Sequence, residues 1–95
     1  MNTAVAAPEL SRLDLSIDSI SAWLCARIGT ALQLDSAQID PDITFDRYGL
    51  DSVQAIEVTA DLGKALGLGE LEPTLLYDYP TIQQLAVYAA TLARQ

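Results

Sequence analysis

Histidine is absent from this sequence, and cysteine occurs only once, at Cys25. Without an imidazole, no serine in the chain has the usual base that turns a hydroxyl into a nucleophile. One cysteine cannot form an intrachain disulfide, and its place in an apolar helical pattern predicts a small residue buried in the core. These absences argue against an enzyme, and we assign no catalytic residue.

Basic residues and long apolar runs are also scarce. The chain has 5 lysines and arginines against 13 aspartates and glutamates, for a net charge of −8. Such a surface repels nucleic acid and anionic lipid, and it steers the chain toward partners with basic patches. No stretch approaches the ~18 consecutive apolar residues of a membrane span, and the N-terminus lacks the pattern of a secretory signal. We expect a cytoplasmic protein that binds neither nucleic acid nor membranes.

Motifs for metal and phosphate binding are missing as well. The segment that starts at Asp40 resembles the beginning of a calcium loop, but Phe45 stands where an EF-hand needs glycine. Asp51 stands where the same loop needs a bidentate glutamate. The sequence has no zinc-like Cys/His spacing and no glycine-rich phosphate loop. No metal site is predicted.

A length of 95 residues and an apolar fraction of 51% fit one small domain with a single core. We assign residues 1–14 to a flexible leader and residues 15–95 to the domain. Helical periodicity predicts helices over 16–32, 52–66, 73–77 and from 81 toward 94, and no segment alternates with period two. The expected fold is all-α: a small antiparallel bundle of three main helices plus one short helix, with a long loop between helices 1 and 2.

The spacing of apolar residues predicts which side of each helix faces the core. In the first helix the expected core residues are Ile17, Ile20, Leu24, Ile28 and Leu32. In the second helix they are Ile56, Leu62 and Leu66, with Val58 at the boundary. In the last helix, which begins with a T-x-x-Q capping box at Thr81, they are Ile82, Leu85, Ala86, Ala89 and Leu92. Gly29 interrupts the first helix at a cost of about 1 kcal/mol relative to alanine.

The connection over residues 33–51 contains turn-forming residues such as Asp40 and Pro41. A structureless loop of this length is uncommon in a compact domain. We therefore expect apolar side chains to pin it to the core and one short helical turn near residues 44–46. The side chains expected to pin the loop are Leu34, Ile39, Ile43, Phe45, Tyr48 and Leu50.

Ser52 stands at the predicted start of the second helix, directly after Asp51, the expected N-cap. The N-terminus of a helix directs free N–H groups and a partial positive charge outward, which suits an attached phosphate group. Val53, Glu57, Ala60 and Asp61 lie among the outward positions of this helix. A mildly apolar strip edged by carboxylates suits transient docking against basic partners, where charge sets mainly the rate of encounter.

Two sequence runs resemble a known family. Residues 45–53 (FDRYGLDSV) are similar to the attachment motif of acyl carrier proteins, and residues 73–81 (PTLLYDYPT) to the third-helix region of carrier domains from polyketide synthases. The resemblance spans residues 16–92. It implies that Ser52 receives a covalent 4′-phosphopantetheine arm from coenzyme A, that Asp51 takes part in recognition by the transferase, and that the arm's thiol holds an acyl group as a thioester.

The resemblance also indicates the kind of pathway. Leu50 and the acidic balance favour acyl cargo, and the two runs are most similar to carriers that work beside fatty acyl-AMP ligases. The implied partners of a monomeric carrier are a phosphopantetheinyl transferase, an acyl-activating ligase or acyltransferase, and a ketosynthase or other biosynthetic enzyme. The implied setting is polyketide, lipopeptide or specialised fatty-acid biosynthesis. Two alternatives stay open: a peptidyl or aminoacyl carrier, and an unmodified helical adaptor in which Ser52 is only a helix cap worth about 1 kcal/mol.

Overall fold

The computed structural model describes residues 16–69 and 71–94. Its helices are α1 (Ile17–Leu32), α2 (Ser52–Leu66), α3 (Leu75–Asp78) and α4 (Ile82–Ala93), with 3₁₀ turns at Ser36–Gln38 and Phe45–Tyr48. The described residues form no strand, only an isolated bridge between Thr44 and Thr81. The predicted all-α class is confirmed, while the proposed leader lies outside the described residues. No helix in the described ranges has the length and apolar character needed to cross a membrane.

A serine cap begins helix α1, and a left-handed residue ends it. The Ser16 hydroxyl accepts the Ser19 N–H at 3.1 Å, which caps the first turn. At the other end, Gln33 adopts a left-handed conformation with φ of 60°, so the helix stops there. The residues of α1 that are buried against the core are Ile20, Trp23, Leu24 and Ile28. Helix α1 packs most extensively against α4.

Gly29 has a structural purpose that its helix propensity does not show. The chain turns back after α1, and the Leu34 N–H donates to the Gly29 carbonyl at 2.7 Å. A Cβ at Gly29 would lie 2.7 Å from the Leu34 carbonyl oxygen, which is too close. Glycine therefore lets the loop leave α1 along the helix itself.

Backbone hydrogen bonds fasten the 33–51 connection to the start of α4. The Gln83 N–H donates to the Pro41 carbonyl at 3.0 Å, and the Phe45 N–H donates to the Pro80 carbonyl at 2.9 Å. The first bond satisfies an N–H group in the first turn of α4 that has no partner within the helix, and the second satisfies an N–H group of the loop. They also hold the loop in place ahead of Ser52.

Side chains pin the same loop, though not all of those expected. Ile39 and Phe45 are buried, and the Tyr48 hydroxyl accepts from the Asp40 N–H and donates to the Asp40 carbonyl. The expectation for Leu34 is wrong: it is 40% exposed, because the backbone reversal at the end of α1 directs it away from the core. The loop contains two 3₁₀ turns instead of one, and the second begins one residue later and ends two residues later than the predicted turn.

The inward face of α2 is rotated from the predicted one. Ile56 is 50% exposed and Val58 is fully buried, so the assignment of Ile56 to the core is wrong. Val58, Leu62 and Leu66 repeat every four residues and define the buried side. Ile56 lies six residues before Leu62, about 120° around the helix from it.

The remaining differences concern burial and helix ends. Cys25 and Leu92 are only partly buried, whereas Ala90 is buried. Helix α3 begins at Leu75, two residues later than predicted. The capping box of α4 is half formed: Thr81 accepts the Gln84 N–H at 3.1 Å, but the Gln84 side chain accepts from the Thr81 hydroxyl instead of from its backbone.

Candidate functional site

Asp51 caps α2, as predicted. Its Oδ1 accepts the Gln54 N–H at 2.7 Å, and the Gln54 Oε1 accepts the Asp51 N–H at 3.1 Å. This reciprocal pair is a complete capping box. The cap is therefore Asp51 and not Ser52, so the interpretation of Ser52 as a helix cap is wrong.

Ser52 is the first residue of α2 and is exposed. Within the described ranges, its hydroxyl has no hydrogen-bond partner, and neither its own N–H nor that of Val53 has one. These two N–H groups lie at the positive end of the helix dipole, where an anion is stabilised. An accessible hydroxyl beside free N–H donors fits a covalently attached phosphodiester.

The turn before the helix orients its first residue. Gly49 ends the second 3₁₀ turn with φ of 77°, a left-handed conformation that glycine adopts without strain. Its N–H donates to the Asp46 carbonyl at 3.0 Å, and the Leu50 N–H donates to the Phe45 carbonyl at 3.4 Å. The chain then extends through Asp51 and enters α2.

A cleft of about 320 Å³ lies beside this end of α2. Its lining residues are Phe45, Asp46, Leu50, Ala55, Leu76, Tyr77 and Pro80. Tyr77 is 72% exposed, whereas the neighbouring Tyr79 packs against Tyr88 with ring centroids 4.4 Å apart. The sequence does not reveal this cleft, because its walls come from three separate segments that only the fold brings together.

The predicted docking residues fall into two groups. Val53 is 61% exposed and Glu57 is also exposed, while Ala60 is half-buried. Ile56, which the sequence analysis did not place on this surface, is exposed beside them. The spacing of these four residues puts them on one side of the helix. We call this surface the α2 face; it consists of Val53, Ile56, Glu57 and Ala60. Asp61 is different: its Oδ2 accepts from Arg27 Nε at 2.7 Å.

The described ranges contain no group of three or more histidine, cysteine, aspartate or glutamate side chains arranged to hold a metal ion.

Comparison with known proteins identifies the family. Residues 22–89 match the family described as "Phosphopantetheine attachment site". The chain belongs to this family. Its members are carriers and not enzymes; they hold 4′-phosphopantetheine covalently and carry their cargo as a thioester. The all-helical fold agrees with this assignment, because carrier proteins of known structure share it.

Two curated synthases and one solved carrier structure are similar to 56–83% of the chain. Mycoketide-CoA synthase of Mycobacterium tuberculosis is 49% identical over 53 residues (56% of this chain), and polyketide synthase PksL of Bacillus subtilis is 34% identical over 76 residues (80% of this chain). This carrier spans only 1% and 2% of the lengths of those two synthases. A free-standing peptidyl carrier protein from an Acinetobacter baumannii secondary metabolic pathway superposes with a TM-score of 0.79 at 40% identity, covering 83% of this chain and 98% of that one.

Proposed function

We propose that Ser52 is the attachment point of the 4′-phosphopantetheine arm, and that the carrier shuttles acyl groups in polyketide, lipopeptide or specialised fatty-acid biosynthesis. The observation that carries the assignment is the exposed Ser52 hydroxyl at the first position of α2, in a chain whose Asp51 already fills the capping role. The Ser52 hydroxyl is not needed to cap the helix, so it is available to a modifying enzyme.

Each residue around Ser52 has a defined part in this proposal. The chain contains no histidine, so the base that accepts the Ser52 hydroxyl proton comes from the phosphopantetheinyl transferase. The N–H groups of Ser52 and Val53 favour the negative charge of the phosphodiester. Asp51 fixes the start of the helix, and its exposed carboxylate takes part in recognition by the transferase.

The α2 face is the proposed docking surface for the transferase and for the biosynthetic enzymes. Val53 and Ile56 supply exposed apolar area, and Glu57 supplies a carboxylate for a basic partner. We further propose that a fatty acyl-AMP ligase or an acyltransferase loads the arm, and that a ketosynthase or a comparable enzyme receives the cargo from a monomeric carrier.

A second candidate is a peptidyl or aminoacyl carrier. It is favoured by the 40% identity to the peptidyl carrier protein of Acinetobacter baumannii, which extends over nearly all of that chain. The two candidates share Ser52 and its arm and differ only in cargo. Competing loading reactions with a fatty acyl-AMP ligase and with amino-acid adenylating enzymes separate them, because only one class of enzyme is expected to charge the modified carrier efficiently.

Intact-protein mass spectrometry tests the attachment site. Incubation with coenzyme A and a broad-specificity phosphopantetheinyl transferase is expected to add the mass of one arm to the wild-type carrier and none to Ser52→Ala. Ser36→Ala is the matched control, since Ser36 is also exposed and also opens a helical turn. Modification of Ser52→Ala would overturn the site. A wild-type carrier that stays unmodified with several transferases would favour an unmodified adaptor.

A further inference from the structure

Two residues after Ser52, the side chain of Gln54 makes contacts at the ends of two different helices. Its Oε1 accepts the Asp51 N–H at 3.1 Å at the start of α2. Its Nε2 donates to the Ala31 carbonyl at 3.1 Å, 23 residues earlier in the chain. Gln54 is half-buried. The bond to Ala31 is partly buried between the two helices, whereas the bond to the Asp51 N–H is exposed to solvent.

The bond to Ala31 satisfies a group that α1 cannot satisfy itself. The last four carbonyls of an α-helix have no partner within the helix. In α1, backbone N–H groups after the helix reach Gly29 and Thr30, and in the part of the chain that the structure describes the Ala31 carbonyl receives its donor from Gln54. One amide side chain thus closes the C-terminus of α1 and the N-terminus of α2.

We propose that Gln54 is a positioning residue for the modification of Ser52: it ties the start of α2 to the end of α1 and so fixes where the Ser52 hydroxyl is presented. The inference rests on the proposed attachment at Ser52. The only ion pair between α1 and α2 in the described ranges, Arg27 with Asp61, lies two helical turns further along α2. In the first turn of α2, the side-chain hydrogen bond to α1 comes from the amide of Gln54.

The expected consequence is a change in the fraction of carriers that present Ser52 correctly. A transferase that binds only the tethered arrangement has an apparent affinity reduced by the fraction of molecules in which the tether is open. Opening the tether therefore raises KM for the carrier and leaves kcat nearly unchanged, because the molecules that bind still react normally. A purely structural role would lower the fraction of folded carrier without this separation.

Gln54→Glu tests the tether while preserving the cap. One carboxylate oxygen of the glutamate still accepts the Asp51 N–H. The other oxygen stands in place of Nε2 and cannot donate a hydrogen bond to the Ala31 carbonyl. Loss of one hydrogen bond predicts an increase of about threefold to tenfold in KM, with kcat within about twofold. Gln54→Met removes both contacts at similar volume and is expected to raise KM at least as much.

The matched control is Gln84→Glu. Gln84 occupies the same third position in α4 but contacts only its own cap residue, Thr81. Its substitution is expected to leave both constants at the wild-type value. If Gln54→Glu and Gln84→Glu give equal KM values while Ser52 is still modified, the tether is not a positioning device. A fall in kcat at constant KM would also overturn the proposal. Failure of wild-type Ser52 to be modified would overturn the proposed function instead.

A measurement on the wild-type carrier does not depend on any variant folding. NMR is expected to show side-chain amide protons of Gln54 that exchange slowly with solvent and give nuclear Overhauser contacts to Ala31 and Leu32. A freely rotating Gln54 amide, with exchange as fast as that of Gln84, would contradict the tether directly.

Discussion

Arg27 of α1 pairs with Asp61 of α2, with 2.7 Å between Nε and Oδ2. The Arg27 side chain is 18% exposed and that of Asp61 43% exposed, so the pair lies at the edge of the helix interface. The positive charge of Arg27 already offsets part of the charge that Asp61 can offer to a basic partner. Of the two predicted docking carboxylates, Glu57 is therefore the one whose charge no ion pair of the described residues offsets.

Neutralising each of these carboxylates separates docking from stability. Glu57→Gln is expected to slow association with the transferase by a few-fold, more at low salt than at high salt, because charge governs mainly the encounter. Asp61→Asn is expected to weaken binding less and to lower the free energy of unfolding by up to about 1 kcal/mol. Stopped-flow kinetics and urea unfolding measure the two effects.

Asp18→Asn is the control for both variants. It removes the same charge from an exposed residue in the first turn of α1, about 20 Å along the helix from Ala31. Association as slow for Asp18→Asn as for Glu57→Gln would show that total charge, and not the α2 face, sets the encounter rate.

Ile56 and Leu62 lie on the same helix, but truncating Leu62 should lower mainly the stability of the carrier and truncating Ile56 mainly its affinity for the transferase. Leu62 is 1% exposed, so Leu62→Ala is expected to lower the free energy of unfolding by about 2–5 kcal/mol. Ile56 is 50% exposed, so Ile56→Ala is expected to cost less than about 1 kcal/mol and to weaken transferase binding instead. Chemical denaturation and binding titrations distinguish the two outcomes. A large loss of stability in Ile56→Ala would place its side chain in the core.

Gly29→Ala tests the close passage of the loop. Alanine is the better helix former by about 1 kcal/mol, but its Cβ would lie 2.7 Å from the Leu34 carbonyl oxygen. We expect the substitution to lower the melting temperature, because the backbone of the loop must move to admit the methyl group. Lys64→Ala, at an exposed position of α2, is the control and should leave stability almost unchanged. A higher melting temperature for Gly29→Ala would show that the loop backbone can move to admit the methyl group without a loss of stability.

Cys25 gives a prediction about pH. Burial raises the pKa of the Cys25 thiol, and the carboxylate of Asp40 raises that pKa further, while a hydrogen bond with Ser21 lowers it in part. The folded protein therefore binds the thiol proton more tightly than the unfolded chain does. The contribution of Cys25 to stability is full below the unfolded pKa of about 8.5 and declines as the pH rises above it.

Alkylation by iodoacetamide reports this pKa. At pH 8 the folded carrier is expected to react more slowly than the same chain in urea, because less thiolate is present. Asp40→Asn should accelerate the reaction of the folded protein, since it removes a neighbouring negative charge. Asp42→Asn, close in sequence, should not. Equal alkylation rates for the folded wild type, Asp40→Asn and Asp42→Asn would show that Asp40 does not raise the pKa of Cys25.

Local patterns predicted the parts of this fold that depend on neighbouring residues. The bounds of α1 and α2 and the cap at Asp51 follow from short-range chemistry that the sequence displays directly.

The incorrect predictions concern contacts between distant segments. Ile56 fits an apolar repeat as well as Val58 does, and only packing against the other helices shows which of them faces the core. The double role of Gln54 depends on the approach of Ala31, which no pattern around residue 54 displays. Gly29 is a similar case, since the need for glycine there comes from the close passage of the Leu34 backbone, which the helical pattern does not display.

Tandem mass spectrometry of the modified carrier is the most direct test of attachment at Ser52. Trypsin is expected to cleave after Arg47 and Lys64, giving the peptide 48–64, in which Ser52 is the only serine. The other hydroxyls of the peptide are engaged in the folded protein: that of Tyr48 by Asp40, and that of the buried Thr59 by the Ala55 carbonyl. Fragment ions that place the arm at residue 52 are the predicted result. An arm localised to any other residue would contradict the account.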